Sequence, residues 1–182
     1  MVWSASIAWA PLIIALAVAA VIDARQRRIP NWLTFSLLGA GLCRSAFFGA
    51  AALGHAGLGV LVGGAIPLIM YALSAVGAGD VKLLSAIGAW VGPGPVAMIF
   101  MVQAILGLII VVTQAIAQRR TGALLRNTVL ICANFGCAGE FGLKNAIETG
   151  KASRSVSRPL PFAVPVFVAT LFVLSMGIFL GR

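Results

Sequence analysis

The chain has 182 residues, of which 61% are hydrophobic and only 9% are charged, and its mean hydropathy is +1.07. Soluble domains carry about 25% charged residues, so this composition excludes an ordinary soluble protein and predicts a single transmembrane domain over residues 1–182. The net charge of +9 does not indicate nucleic-acid binding, because the cations lie between apolar segments and are not interleaved with aromatic residues.

Six apolar segments predict an all-α, polytopic membrane protein with about six transmembrane helices, since a bilayer core needs about 20 apolar residues per helix. No Lys or Arg precedes the first apolar run and basic residues follow it, so we expect an uncleaved first helix with its N-terminus outside. Asn31 is the expected N-cap of the second helix. The predicted spans are about 4–23, 31–49, 57–76, 81–92, 96–117 and 160–181.

This topology predicts cytoplasmic loops at about 24–30, 77–82 and 118–158. They hold eleven of the thirteen Lys and Arg residues, as expected when positive charge stays inside. Arg44, one of the two exceptions, is expected to extend towards the outer interface. The apolar stretch 123–139 is interpreted as an interfacial or partly buried cytoplasmic helix, because a seventh crossing would export four cations.

Two of the four acidic residues, Asp23 and Asp80, interrupt otherwise apolar stretches. A carboxylate at mid-bilayer costs about 2.5 to 3.5 kcal/mol on insertion scales, so both positions call for an explanation. In the predicted topology the two carboxylates share one depth on the cytoplasmic side. If they meet, they cannot both ionise; one would activate water as general base while the other polarises and protonates a scissile carbonyl. The alternative is an interfacial or helix-capping role for each residue.

Three motifs carry a resemblance to a known family. Residues 23–31, DARQRRIPN, resemble the first motif of the type IV prepilin peptidases, and residues 77–84, GAGDVKLL, resemble the GxGD motif of these aspartyl proteases. Residues 159–165, PLPFAVP, are similar to the family's proline-flanked turn before the last helix. The resemblance covers the whole chain. It implies a multi-pass endopeptidase of the inner (cytoplasmic) membrane, which removes the basic leader of prepilin-like precursors at the cytoplasmic face.

The resemblance also implies roles for five residues of the first two motifs. Asp23 and Asp80 become the catalytic aspartates. Gly77 and Gly79 are expected to shape the approach to Asp80. Lys82 either orients this loop or the substrate, or extends as a cation towards the interface, and the sequence does not choose between these roles.

Four further residues are expected to set the ends of the second and sixth helices: Pro30, Asn31, Pro161 and Phe162. Phe162 is also a candidate for lining the cleft. No metal or cofactor is expected for this reaction. The expected partners are a prepilin or pseudopilin precursor as substrate, the lipid bilayer and the pilus assembly machinery, with no nucleic acid.

The larger prepilin peptidases insert a cytoplasmic domain with paired CxxC motifs, associated with N-methylation, between their first two helices. Here only about seven residues separate these helices, and the three cysteines form no CxxC. The resemblance therefore implies protease without methyltransferase activity, as in the compact peptidases of Tad/Flp pilus systems. The archaeal preflagellin peptidases remain an alternative within the same family.

Two other classes of protein compete with a peptidase. A proton-coupled transporter also uses intramembrane carboxylates, but it predicts an internal repeat and acids near mid-bilayer. No counterpart of GAGDVK lies near Asp23, and both acids lie towards one face. A non-catalytic subunit of a pilus or secretion machine would tolerate Asp23→Asn and Asp80→Asn.

Overall fold

The computed structural model describes residues 2–72, 76–117 and 162–180. These residues form α-helices and no strand, which confirms the all-α prediction. Three stretches among them are long and apolar enough to cross a bilayer, namely Trp9–Gln26, Ala50–Tyr71 and Pro93–Gln114, so the chain is a membrane protein. The count of six spans and the side of the N-terminus stay predictions. The helices are α1 (Val2–Gln26), α2 (Asn31–Phe47), α3 (Ala50–Ala72), α4 (Ala78–Val91), α5 (Pro93–Ala117) and α6 (Ala163–Leu180).

The helix boundaries differ from the predicted ones at three places that matter for the site. Because α1 continues to Gln26, Asp23 lies inside the last turn of this helix and not at its end. The third helix begins at Ala50, where the sequence predicted a start near 57, because Gly49 with a φ of 100° makes a tight corner directly after α2. Most of segment 77–82, expected to be a loop, is helical. The predicted loop 118–158, including stretch 123–139, lies outside the described residues.

The connection from α1 to α2 is short and well defined. Arg27 adopts a left-handed φ of 53°, and its N–H donates a hydrogen bond to the Asp23 carbonyl at 2.8 Å, which ends α1. Pro30, with φ −69° and ψ 133°, is the N-cap of α2 and makes no side-chain cap bond. The prediction that Asn31 caps this helix is therefore wrong. Asn31 is the first residue of α2, and its side chain bonds to a different helix.

Helices α3 and α4 pack backbone against backbone. A Cβ atom on Gly59 would collide with the carbonyl of Gly88, and one on Gly88 would collide with the carbonyl of Gly59. A Cβ on Gly63 would lie 2.5 Å from the Leu84 carbonyl oxygen, so residue numbers rise along α3 as they fall along α4. The two helices are antiparallel. Small residues permit this close approach, which buries α4 among the longer helices.

Helices α2 and α4 are parallel and are joined at two levels. The Trp90 indole N–H donates a hydrogen bond to the Leu37 carbonyl at 2.8 Å, and Gly41 leaves room for the indole ring. Near the start of both helices, Lys82 bonds to Asn31. The contacts with α3, which runs antiparallel to α4, and with α2, which runs parallel to it, fix the direction of α4. They place the first turn of α4 beside the start of α2.

The contact between Gly59 and Gly88 predicts a large effect on stability. We expect Gly59→Ala to lower the melting temperature, because the added methyl group meets rigid backbone; overpacking of this kind costs about 1 to 3 kcal/mol. The matched control is Gly54→Ala on the same helix, where a Cβ meets nothing within 4 Å. This change should be neutral or stabilising, since Ala favours a helix by up to about 1 kcal/mol over Gly. Equal melting temperatures for the two variants in detergent would contradict the packing.

Candidate active site

Asp23 is buried, with 5% of its surface exposed, and is bound by a backbone group of the last helix. Its Oδ2 accepts a hydrogen bond of 2.9 Å from the N–H of Ala163. Ala163 is the first residue of α6, so this N–H has no partner within its own helix. The bond joins residues that are 140 positions apart, and it holds the end of α1 against the start of α6.

Asp80 lies in the first turn of α4, at the end of the bundle and outside the three long candidate spans. Its Oδ2 accepts a hydrogen bond of 3.0 Å from the Gly77 N–H, and its own N–H donates to the Gly77 carbonyl at 3.1 Å. An acidic side chain in this position stabilises a helix N-terminus. Asp80 therefore caps the start of α4, which the sequence had left open as an alternative role. The bond from the Gly77 N–H also fixes the direction of the Asp80 carboxyl group.

The electrostatics of Asp80 connect it to Asp23. Burial raises the pKa of Asp80 to about 7; the Gly77 N–H opposes this shift, and the negative charge of Asp23 adds to it. Desolvation disfavours the charged carboxylate, and a nearby like charge acts in the same direction. The two carboxyl groups of the described chain therefore lie at one end of the bundle and interact electrostatically.

The glycines of the second motif sit at close contacts around Asp80. Gly77 is the extended N-cap of α4, and a Cβ there would lie 3.2 Å from Asp80 Oδ2. A Cβ on Gly79 would lie 3.4 Å from the Ile29 Cβ, so the connection between α1 and α2 packs on the first turn of α4. The first two motifs are therefore in direct contact.

Lys82 makes a second contact between these motifs. Its Nζ donates a hydrogen bond of 2.9 Å to Asn31 Oδ1 and lies 5.4 Å from the centre of the Phe35 ring. The amide and the ring both belong to α2, so the ammonium group is held at the protein surface by two specific partners. This geometry fits the role of orienting the loop better than that of an unattached interfacial cation.

The remaining candidate residues lie at helix ends. Phe162 is half-buried, packs against the core and precedes α6, with its carbonyl accepting the Val166 N–H at 3.4 Å. Pro30 precedes α2, whereas Pro161 lies outside the described residues. Sequence reasoning missed Ala163, because a backbone N–H leaves no residue-type signal. Only its position inside the proline-flanked motif, residues 159–165, pointed towards it.

The described residues contain no group of three or more His, Cys, Asp and Glu side chains placed to hold a metal ion. They offer instead two carboxyl groups, each bound through one oxygen by a backbone N–H from a helix start. Such an arrangement can accept a proton at one group and donate a proton from the other.

Comparison with known proteins assigns the chain to a family. Residues 10–112, more than half of the chain, match the model of the type IV leader peptidase family. The chain belongs to the type IV leader peptidase family. The matched residues include Asp23, Asp80 and the α2–α4 contacts, whereas α6 lies beyond them.

Two proteins that are similar to this chain carry the name prepilin leader peptidase/N-methyltransferase. The Escherichia coli (strain K12) protein is 33% identical over 108 residues, 56% of this chain and 48% of the relative. The Neisseria gonorrhoeae protein is 29% identical over 109 residues, 54% of this chain and 37% of the relative. The chain thus matches half or less of the length of these relatives. No solved structure matches this leader peptidase family member.

Proposed function

We propose that the protein is an intramembrane aspartic endopeptidase that cleaves the leader of prepilin-like precursors. The observation that carries this proposal is that the two carboxyl groups lie at one end of the bundle, where the connection that follows Asp23 packs on the first turn of α4 that holds Asp80. Membership of the type IV leader peptidase family supports the substrate class. Both acids are at helix ends rather than in the middle of a span, which argues against a proton relay through the membrane.

The two carboxyl groups take different roles in the proposed reaction. Asp80 holds a proton near neutral pH, since its pKa is raised to about 7, and it protonates the scissile carbonyl oxygen. Asp23 accepts the Ala163 N–H on one oxygen and takes a proton from the attacking water on the other. The water oxygen bonds to the carbonyl carbon and gives a diol. The C–N bond then breaks as one diol hydroxyl returns its proton to Asp80 and the leaving amine takes the proton from Asp23, which restores both carboxyl groups. The net reaction consumes one water.

The location of this pair supports a prepilin-like substrate. A prepilin carries a short basic leader followed by an apolar helix, and their junction lies at the membrane face. We propose that the end of the bundle containing Asp23 and Asp80 faces the cytoplasm of the inner membrane. The short α1–α2 connection supports the compact Tad/Flp form, with preflagellin peptidase as the alternative within the family. Lys82 acts as a positioning residue that locks the start of α2 to α4.

Cleavage of a defined precursor tests this function. The purified protein is reconstituted in lipid with a synthetic precursor that has a basic leader and an apolar helix. We expect one cut at the leader junction, read by mass spectrometry, and an unmethylated new N-terminus even when S-adenosylmethionine is added. A precursor that stays intact would contradict the proposed mechanism. Loss of cleavage by the wild-type protein when a metal chelator is added would also contradict it.

The raised pKa of Asp80 predicts the pH dependence of cleavage. Because Asp80 must be protonated to act as the acid, kcat/KM should fall as the pH rises through about 7. The profile is measured from about pH 5 to 9 with an N-acetylated precursor that contains Lys and Arg but no His or Cys, so that the substrate does not titrate in this range. A rate that rises through pH 7 would mean that Asp80 acts ionised, which reverses the assigned roles.

A further inference from the structure

At the end of the bundle opposite the carboxyl pair, the guanidinium group of Arg44 lies among three aromatic rings. Its central carbon is 5.3 Å from the centre of the Trp9 ring, 5.4 Å from that of Phe48 and 5.7 Å from that of Trp90. Contacts at these distances are attractive and orient the planar group. Arg44 was expected to extend towards the outer interface; the rings around it come from α1, from α4 and from the residue that follows α2.

The charge of Arg44 has no carboxylate to neutralise it in the described part of the chain. The two described acids, Asp23 and Asp80, lie at the other end of the helices. Cation–π contacts act on the charge of the guanidinium and do not use its N–H groups as donors to an oxygen, so these groups remain for an acceptor. An arginine held in this way is prepared for an anion with two or more oxygens, such as a phosphate group.

A cavity of about 160 Å³ lies beside this group. Arg44, His55 and Trp90 line it, together with the start of α3 and the end of α4. His55 packs against Gly92, whose left-handed φ of 82° and missing side chain make room for the imidazole. The cavity therefore combines one fixed cation with a second side chain that carries nitrogen. Its volume is large enough for a phosphate group and too small for an acyl chain.

The rim of the cavity is apolar and exposed. Phe48, which lines the cavity beside Arg44, is 72% exposed. The candidate spans Trp9–Gln26 and Ala50–Tyr71 both begin beside this cavity, which is the position where membrane helices meet the headgroup region. A free anion would gain nothing from such a rim, whereas a lipid would cover it.

We propose that this cavity binds the phosphate of an anionic membrane lipid, with the headgroup on Arg44 and His55 and the acyl chains along the exposed Phe48. The site is separate from the carboxyl pair, and the proposal does not depend on the proposed peptidase function. Binding would stabilise the folded protein, because the ligand binds the native state only.

Thermal unfolding in detergent tests the proposal with a short-chain phosphatidylglycerol as the probe. We expect this lipid to raise the Tm of the wild type by a few degrees, and phosphatidylcholine to have a smaller effect. Arg44→Met should abolish the shift and Arg44→Lys should reduce it, because Lys lacks the planar fork. Arg28→Met, which removes the same charge at the other end of the bundle, should leave the shift unchanged.

A second variant covers the case in which Arg44→Met does not fold. Ala52→Phe fills the cavity but keeps Arg44, and it should also abolish the shift. An equal shift in Ala52→Phe or Arg44→Met, or no shift in the wild type, would overturn the proposal. Inorganic phosphate serves as the second probe: if it reproduces the full shift through Arg44, the site takes a free anion, and the assignment to a lipid is overturned.

Discussion

Asp23→Asn and Asp80→Asn are each expected to lower the rate of leader cleavage by about 10²- to 10⁴-fold, because each removes one member of a general acid–base pair. An asparagine has nearly the shape of an aspartate and keeps a carbonyl oxygen. It can therefore still accept the Ala163 N–H at position 23 and the Gly77 N–H at position 80. The fold should survive while the proton transfer is lost.

The measurement is single-turnover cleavage of a synthetic precursor, with the Tm of each variant recorded beside the rate. Asp23→Glu and Asp80→Glu serve as matched variants that keep a carboxyl group, and they should retain more activity than the Asn variants. A rate within about threefold of wild type in either Asn variant would assign that aspartate to helix capping alone. A large loss of Tm would mean that the rate reports folding and not chemistry.

Ala163→Pro is expected to lower kcat by about 10- to 100-fold, because it removes the N–H that donates a hydrogen bond to the Asp23 carboxylate. A hydrogen bond to a charged group contributes about 1.5 to 3 kcal/mol, which corresponds to that range of rates. Proline is well tolerated at the first position of a helix, where its missing N–H is not needed for the helix itself. The change therefore acts on Asp23 more than on α6.

Ala163→Gly is the matched control, because it removes the side chain and keeps the N–H. We expect it to cleave at nearly the wild-type rate, with KM similar in both variants since neither touches the substrate directly. If Ala163→Pro and Ala163→Gly are equally active, the bond to Asp23 does not position the carboxylate. If both are equally inactive and melt early, the effect is one of packing at the buried Ala163.

The sequence was most informative at charged residues that lie within apolar segments. Asp23 and Asp80 stood out because carboxylates are rare in apolar runs, and the structure brings both to one end of the bundle. Hydropathy located every described helix, since length and apolar content are properties of single segments. Helix ends were less certain: residues 78–82 look like a glycine-rich loop in sequence but form the first turns of α4, which is buried between neighbours.

What the sequence could not provide are contacts that depend on distant backbone. The N–H of Ala163 reaches Asp23 across 140 positions, and no residue type marks a backbone donor. Asn31 has the composition of an N-cap, yet Pro30 occupies that position and the amide bonds to Lys82 instead. Arg44 has the pattern of an interfacial cation, but two of the three rings around it, those of Trp9 and Trp90, come from α1 and α4.

The most direct test of the central claim is the cleavage rate of the Asp23→Asn/Asp80→Asn double variant, compared with both single variants under the same single-turnover conditions. If the two carboxyl groups form one reaction centre, the second substitution should cost almost nothing, because the first already disables the unit. We therefore predict a double variant no more than a few-fold slower than the slower single variant. Losses that multiply would contradict the account, since each aspartate would then act on cleavage independently of the other.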